Sequence, residues 1–192
     1  GANSAPYAAA GYNTAMGYQA LDAFTTGHSN VAVGKSALGS LTTGDYTTAV
    51  GLAAGSNVTN GRFNTFYGFN AGGNSNANHV VAIGYNVYGS GASNKSYGVY
   101  IGSNAGRYAT GSYNTFVGAY SGNGNSSAPH SSGTANTAVG YNTLINFTTG
   151  QQNTIVGSYA GDAITSGNYN TFVGSGAGGA ITTGGQNTFV GR

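Results

Sequence analysis

The chain has no cysteine and no tryptophan, two prolines, and eight charged side chains among 192 residues. Without cysteine there is no disulfide framework and no thiolate metal site. The five cations Lys35, Arg62, Lys95, Arg107 and Arg192 are scattered. They form no basic patch for a phosphate backbone, so nucleic-acid binding is not expected. The acids are only Asp22, Asp45 and Asp162. No apolar run approaches the roughly 20 residues of a bilayer span, and no basic stretch leads into an apolar signal segment. Membrane insertion is not expected either. Large aliphatic residues are sparse, which by itself warns of disorder. That warning assumes strong charge repulsion, and the formal net charge is only +2.

What the chain has instead is glycine, 36 residues of it, and a repeat. A marker glycine follows a short apolar run at Gly17, Gly34, Gly51, Gly68, Gly84, Gly102, Gly118, Gly140, Gly157, Gly174 and Gly191. The usual spacing is 17 residues, and one interval, Gly118 to Gly140, is 22. The longer interval places an insertion at 122–134. Four residues before the marker stands Asn, at Asn13, Asn30, Asn64, Asn114, Asn136, Asn153, Asn170 and Asn187. Three after it comes a small residue (Ala20, Ala37, Ala54, Ala71, Ala105, Ala160, Ala177), then Leu or Gly, then a Thr-Gly or Ser-Gly turn.

A unit this short cannot hold a helical hairpin, and Gly at this density disfavours helix by about 1 kcal/mol per residue against Ala. Val, Thr, Phe and Tyr ahead of the markers favour strand. The expected fold is all-β: a parallel β-solenoid, or β-roll, with 17-residue coils, each reading as strand, turn, short strand, turn. Coils stacked about 4.8 Å apart would make a rod of roughly 50 Å. Residues 11–192 form one solenoid domain after a lead-in at 1–10.

The two residues before each marker are both apolar, as in Ala32-Val33, Phe116-Val117 and Ile155-Val156. Neighbouring strand residues face opposite ways, so both faces of the sheet call for burial. One lies in the coil; the other needs a partner, and an identical copy is the economical one. A closed homo-oligomer, most simply a trimer, is expected. The Thr column (Thr14, Thr48, Thr65, Thr115, Thr137, Thr154, Thr171, Thr188) alternates with Val31, Val81 and Val99. That exchange suggests an inward, packed position. The Asn column opens each strand, where Asn tolerates the left-handed region; its stacked amides are expected to form a structural ladder.

The phrases Ser29-Asn30-Val31-Ala32-Val33-Gly34 and His79-Val80-Val81-Ala82-Ile83-Gly84 resemble the head repeat of trimeric autotransporter adhesins. The fuller unit, Thr-Thr-Gly, then Asn-Thr-Phe-Val-Gly, then Ala-Gly, is similar to repeats in bacteriophage and giant-virus fibre proteins. The resemblance covers about residues 11–192. It implies a left-handed trimeric β-roll on a bacterial surface or a virion tail fibre. The chain begins and ends abruptly in the repeat, as a fragment of a longer fibre would.

Chemistry is hard to find. The three Asp sit in or near turns, where Asp is a common structural residue. His28, His79 and His130 occupy different phases of the repeat and form no cluster. Gly174-Ser175-Gly176-Ala177-Gly178-Gly179 lacks the Lys and Ser/Thr of a phosphate loop. Asn57, Asn94, Asn125 and Asn146 head N-glycosylation sequons, expected by chance in such a composition. No metal, cofactor or catalytic residue is assigned, and an enzyme is not expected. Tyrosines crowd the region before the insertion, and irregular loops on rigid scaffolds carry function. Tyr88, Tyr97, Tyr108, Tyr120 and His130 are therefore the candidate contacts for a host glycan or protein receptor. The alternative for these Tyr is filling of a wide core. The leading functional reading is an adhesive fibre segment. An ice-binding solenoid, which needs an outward Thr array, and a fibre-borne polysaccharide depolymerase are the alternatives.

Overall fold

The computed structural model describes residues 11–73, 76–88, 96–127 and 130–192; the lead-in at 1–10, the sequon at Asn94 and part of the insertion lie outside them. The described residues form a β-solenoid with roughly 17-residue coils and contain no helix. Each coil contributes one short strand: β1 (Thr14–Met16), β2 (Val31–Val33), β3 (Thr48–Val50), β4 (Thr65–Tyr67), β5 (Val80–Ile83), β6 (Gly98–Ile101), β7 (Thr115–Val117), β8 (Thr137–Val139), β9 (Thr154–Val156), β10 (Thr171–Val173) and β11 (Thr188–Val190). They pair in sequence order into one parallel eleven-stranded sheet. The repeat sets the register, Thr154 on Thr171 and Val156 on Val173. The insertion leaves it untouched, since Thr115 pairs with Thr137 across it.

Among the described residues the second strand expected in each coil does not form. The residues two and four places after the marker adopt φ near +50°, as at Ser36, Leu38, Asn142 and Leu144. Such alternation is incompatible with a pleated strand. The segment winds instead as a compact series of turns that still bonds coil to coil: Leu38 N–H donates to Ala54 O at 2.9 Å and Leu144 N–H to Ala160 O at 3.2 Å. Left-handed geometry costs an L-residue roughly 1–2 kcal/mol. Regular stacking of the coils holds it in place. The marker glycines adopt a φ that side chains rarely reach; Gly34 stands at +125°, and a Cβ there would lie 2.5 Å from Gly51 O.

Each coil buries a few apolar side chains, as at Ala32, Ala37, Leu38 and Leu41. The middle strand residue points inward and is fully buried: Ala32, Ala49, Phe66, Ala82, Tyr100, Phe116, Ala138, Ile155, Phe172. Its size is matched by the residue four places after the marker. Ala32 and Ala138 go with Leu38 and Leu144, all buried. Phe116 and Phe172 go with Gly122 and Gly178, where any Cβ would collide with the ring. In the coil of Ala49 the partner is Gly55, because Leu38 and the Phe66 ring take that space. The Leu/Gly alternation in the sequence is thus volume compensation at constant coil width.

Asparagine lines the same interior. Asn153 Nδ2 donates to Asn136 Oδ1 at 3.0 Å and to Gly167 O at 2.8 Å, and Asn153 Oδ1 accepts from Asn170 N and Nδ2, both at 3.0 Å. Asn30, Asn136 and Asn170 repeat the pattern. Asn13 opens the ladder, accepting from Asn30 N at 2.9 Å, and Asn187 ends it, donating to Asn170 Oδ1 at 2.9 Å. Asn64 takes Val80 N–H at 3.0 Å, and Asn114 takes Asn136 N–H at 2.9 Å. The left-handed residue at this corner is not the Asn, as expected from sequence, but the one before it: Ser29, Phe63, Tyr113, Gln152, Tyr169. The Asn must keep strand geometry so that its amide can turn inward.

Tyr100 is a titratable group buried in the core. Burial pushes its phenol well above the ordinary value, and the neighbouring Tyr88 adds to this; a hydrogen bond with Asn114 opposes it. A raised folded-state value means the contribution is intact below about pH 10. It is lost as pH rises and the unfolded chain releases the proton that the folded one keeps. Denaturant melts from pH 8 to 11 should therefore show an alkaline loss of stability that is reduced in Tyr100→Phe.

Candidate functional site

The outward face of the sheet runs the length of the eleven strands. It corrects the sequence expectation for the Thr column: Thr14, Thr48, Thr65, Thr154, Thr171 and Thr188 are exposed, and Thr115 and Thr137 are half-buried. The inward residue is the one between Thr and the pre-marker Val, so Thr and Val share the outer face. Thr and Val exchange there because a β-branched side chain suits any sheet position, buried or not. The expectation that the two residues before the marker face opposite ways holds. Ala138, Ile155 and Phe172 are buried, whereas Val139, Val156 and Val173 are exposed, by 37–39%.

Two aromatic columns flank this face over the N-terminal coils. Preceding the Asn column, Tyr46, Phe63, His79, Tyr97 and Tyr113 stack one over the next at 4.8–5.4 Å between centroids, with ring planes within 12°. Following the marker, Phe69 stacks on Tyr85 at 5.3 Å. Between these walls Val31, Val33, Val81, Ile83, Val99 and Ile101 are half-buried. Beyond Tyr113 the wall falls away to Ala135 and Gln152, and the Val column becomes exposed. The stack's sequence signal is the ring that recurs five residues before the marker, at Tyr46, Phe63, His79, Tyr97 and Tyr113, a position the repeat reading passed over.

The five candidate contact residues do not converge. Tyr88 is only 6% exposed and its ring stacks on Tyr100 at 4.4 Å. It is a core residue, with Ala82 as the small strand partner of its coil, and cannot be a surface contact. Tyr97 is 52% exposed, but its ring faces are taken by His79 and Tyr113. Only its edge meets solvent, and sugars stack on faces. Tyr120 is 39% exposed and lies on the other flank, edge to face with Tyr141 at 6.4 Å. Tyr108 and His130 alone are together, stacked at 5.9 Å with the Arg107 guanidinium 5.0 Å from the Tyr108 centroid.

That pair stands beside the insertion. Ser131 pins the loop: its Oγ accepts from Asn125 N at 2.8 Å and donates to Phe147 O. The Asn125 carbonyl meets His130 Nδ1 at 3.2 Å. Against the following coils the loop forms an open groove of about 610 Å³, lined by Gly124, Asn125, Ser126, Asn146, Thr148, Ala163 and Thr165. Sequence reasoning located the insertion but missed the facing residues, which belong to the next two coils; the sequons at Asn125 and Asn146 were the available signal.

Asp45 is the centre of a small charged cluster. Asp45 accepts from His28 N at 2.9 Å and pairs with Arg62 Nε at 3.2 Å, a bridge between adjacent turns. Arg62 is 55% exposed, so solvent screens the pair and it is worth at most about 1 kcal/mol. Among the described residues no group of three His, Cys, Asp or Glu is placed to hold a metal ion, and no helix is long and apolar enough to cross a membrane. Comparison of the chain with protein-family models, with curated proteins and with solved structures gave no match.

Proposed function

We propose that the chain is a rod-forming segment of an extracellular or virion surface fibre, with identical copies packing their outward sheet faces together and the irregular flank attaching to a host surface. The observation that carries this reading is the outward face. Its Thr and Val columns run the length of the sheet, and no strand carries a Lys, Arg, Asp or Glu; over the N-terminal coils the stacked aromatic rings widen it. Eleven rows about 4.8 Å apart and about 20 Å wide amount to roughly 1,000 Å², more than the roughly 800 Å² per partner of a stable interface. Apolar patches of that extent are rare on monomers. Three copies is the number that the resemblance to fibre and adhesin repeats implies. Light scattering is expected to give three times the 19.0 kDa chain mass. Val139→Lys with Val156→Lys should release single chains with unchanged circular dichroism. A wild-type mass of one chain would overturn the reading.

The outward Thr column favours one competing reading, an ice-binding face. From β7 to β11 the rows read Thr-x-Val without interruption. A face buried between copies cannot also meet ice. An ice-recrystallisation assay on the same sample separates the two: inhibition by a protein of single-chain mass replaces the oligomer.

A further inference from the structure

We infer that the groove beneath the insertion is a binding site for a neutral saccharide, and that this is where the proposed fibre attaches. The inference rests on the attachment half of that reading.

The groove's volume of about 610 Å³ falls within the 300–1,000 Å³ of small-ligand sites. Its lining consists of amides, hydroxyls, one alanine and one glycine, with no charged side chain and no large apolar one. An anionic ligand finds no cation there, and an apolar peptide finds no pocket. A sugar ring carries alternating hydroxyl donors and acceptors, which is what this lining complements. Thr148 Oγ1 and Thr165 Oγ1 donate to the next coil's carbonyls, at 3.0 and 3.1 Å, so each turns acceptor lone pairs to a ligand. Asn146 Nδ2 donates to Asp162 O at 2.9 Å, which fixes the amide and leaves its oxygen as an acceptor. From the loop side, Asn125 Oδ1 is fixed by Ser127 N–H at 2.9 Å. Its Nδ2 is engaged by no described residue and supplies the donor. The loop is held on the rod by the Ser131 bonds described above, so the groove's walls are set before a ligand arrives, which lowers the ordering cost of binding. Tyr108 and His130, stacked on one another beside Asn125, support the loop rather than line the groove.

The test uses the full chain produced without N-glycosylation, since Asn125 and Asn146 head sequons. It is passed over immobilised neutral oligosaccharides (galactose, mannose and N-acetylglucosamine series) and sialylated counterparts. The retained sugar is then titrated by calorimetry. Retention of a neutral series, with affinity lowered at least tenfold by Asn146→Ala and by Asn125→Ala, is the expected result. Near-ultraviolet circular dichroism and solution mass are expected to be unchanged in both variants. Three results would each overturn the site: preference for the sialylated series, binding that survives both substitutions, or no saccharide retention by a protein that still attaches to cells. The last two leave the fibre reading standing, and the mass measurement reports on the oligomer separately.

Discussion

Replacing Asn153 by Ala should lower unfolding free energy by about 2–5 kcal/mol, from buried polar groups that lose a partner at about 1–3 kcal/mol each, with Asn136 Oδ1 keeping the residue 153 N–H. The groups are Asn136 Oδ1 and Gly167 O, which lose a donor, and the Asn170 N–H, which loses its acceptor. Asp at the same place is worse at neutral pH. It presents a second oxygen to Asn136 Oδ1 and Gly167 O where the amide presented two N–H groups, and it buries a charge. Protonation restores one donor, so the Asp variant should gain stability relative to wild type as pH falls, opposite to the usual acid behaviour of a paired carboxylate. Asn187, at the partly exposed last rung, should cost much less to truncate because water replaces the lost partners. Urea melts of the three variants check the ranking.

The second large effect is a rescue. Phe172→Ala empties a fully buried ring position and should cost about 3–5 kcal/mol. Gly178→Leu alone drives its Cβ into the Phe172 ring. It should cost about 1–3 kcal/mol through overpacking. Together they recreate the Ala138 and Leu144 coil, in which Leu144 takes φ of 49° in a buried site. The double variant should recover most of the loss, with a coupling energy near the upper end of the 0.5–3 kcal/mol found for contacting residues. Additive losses in denaturant melts would mean that the Leu/Gly alternation has another origin.

The period, the parallel stacking and the apolar sheet were legible because each repeats in phase and so reinforces itself eleven times. Orientation was not. Thr154 and Val156 on one side and Ile155 on the other are all good strand residues, and nothing in their chemistry says which side is inside. Chain direction at the corners decides that, through left-handed residues such as Gln152 and Tyr159 whose side chains do not announce the conformation. The same corners removed the second strand. The missing half of the groove has a simpler cause. Asn125 meets Asn146 and Thr165 only after two further windings, and those partners sit at ordinary repeat positions with no irregularity to mark them.

The amide ladder also has a direction. From Asn13 to Asn170 each ladder oxygen accepts from the coil that follows, so a new winding fits only one end and in one phase. Length then becomes a free parameter. Whole units of sequence can be duplicated or deleted, each changing the span by about 4.8 Å, while the cross-section and the outward columns stay as they are. A gene carrying this motif holds a ruler that recombination can lengthen or shorten one graduation at a time.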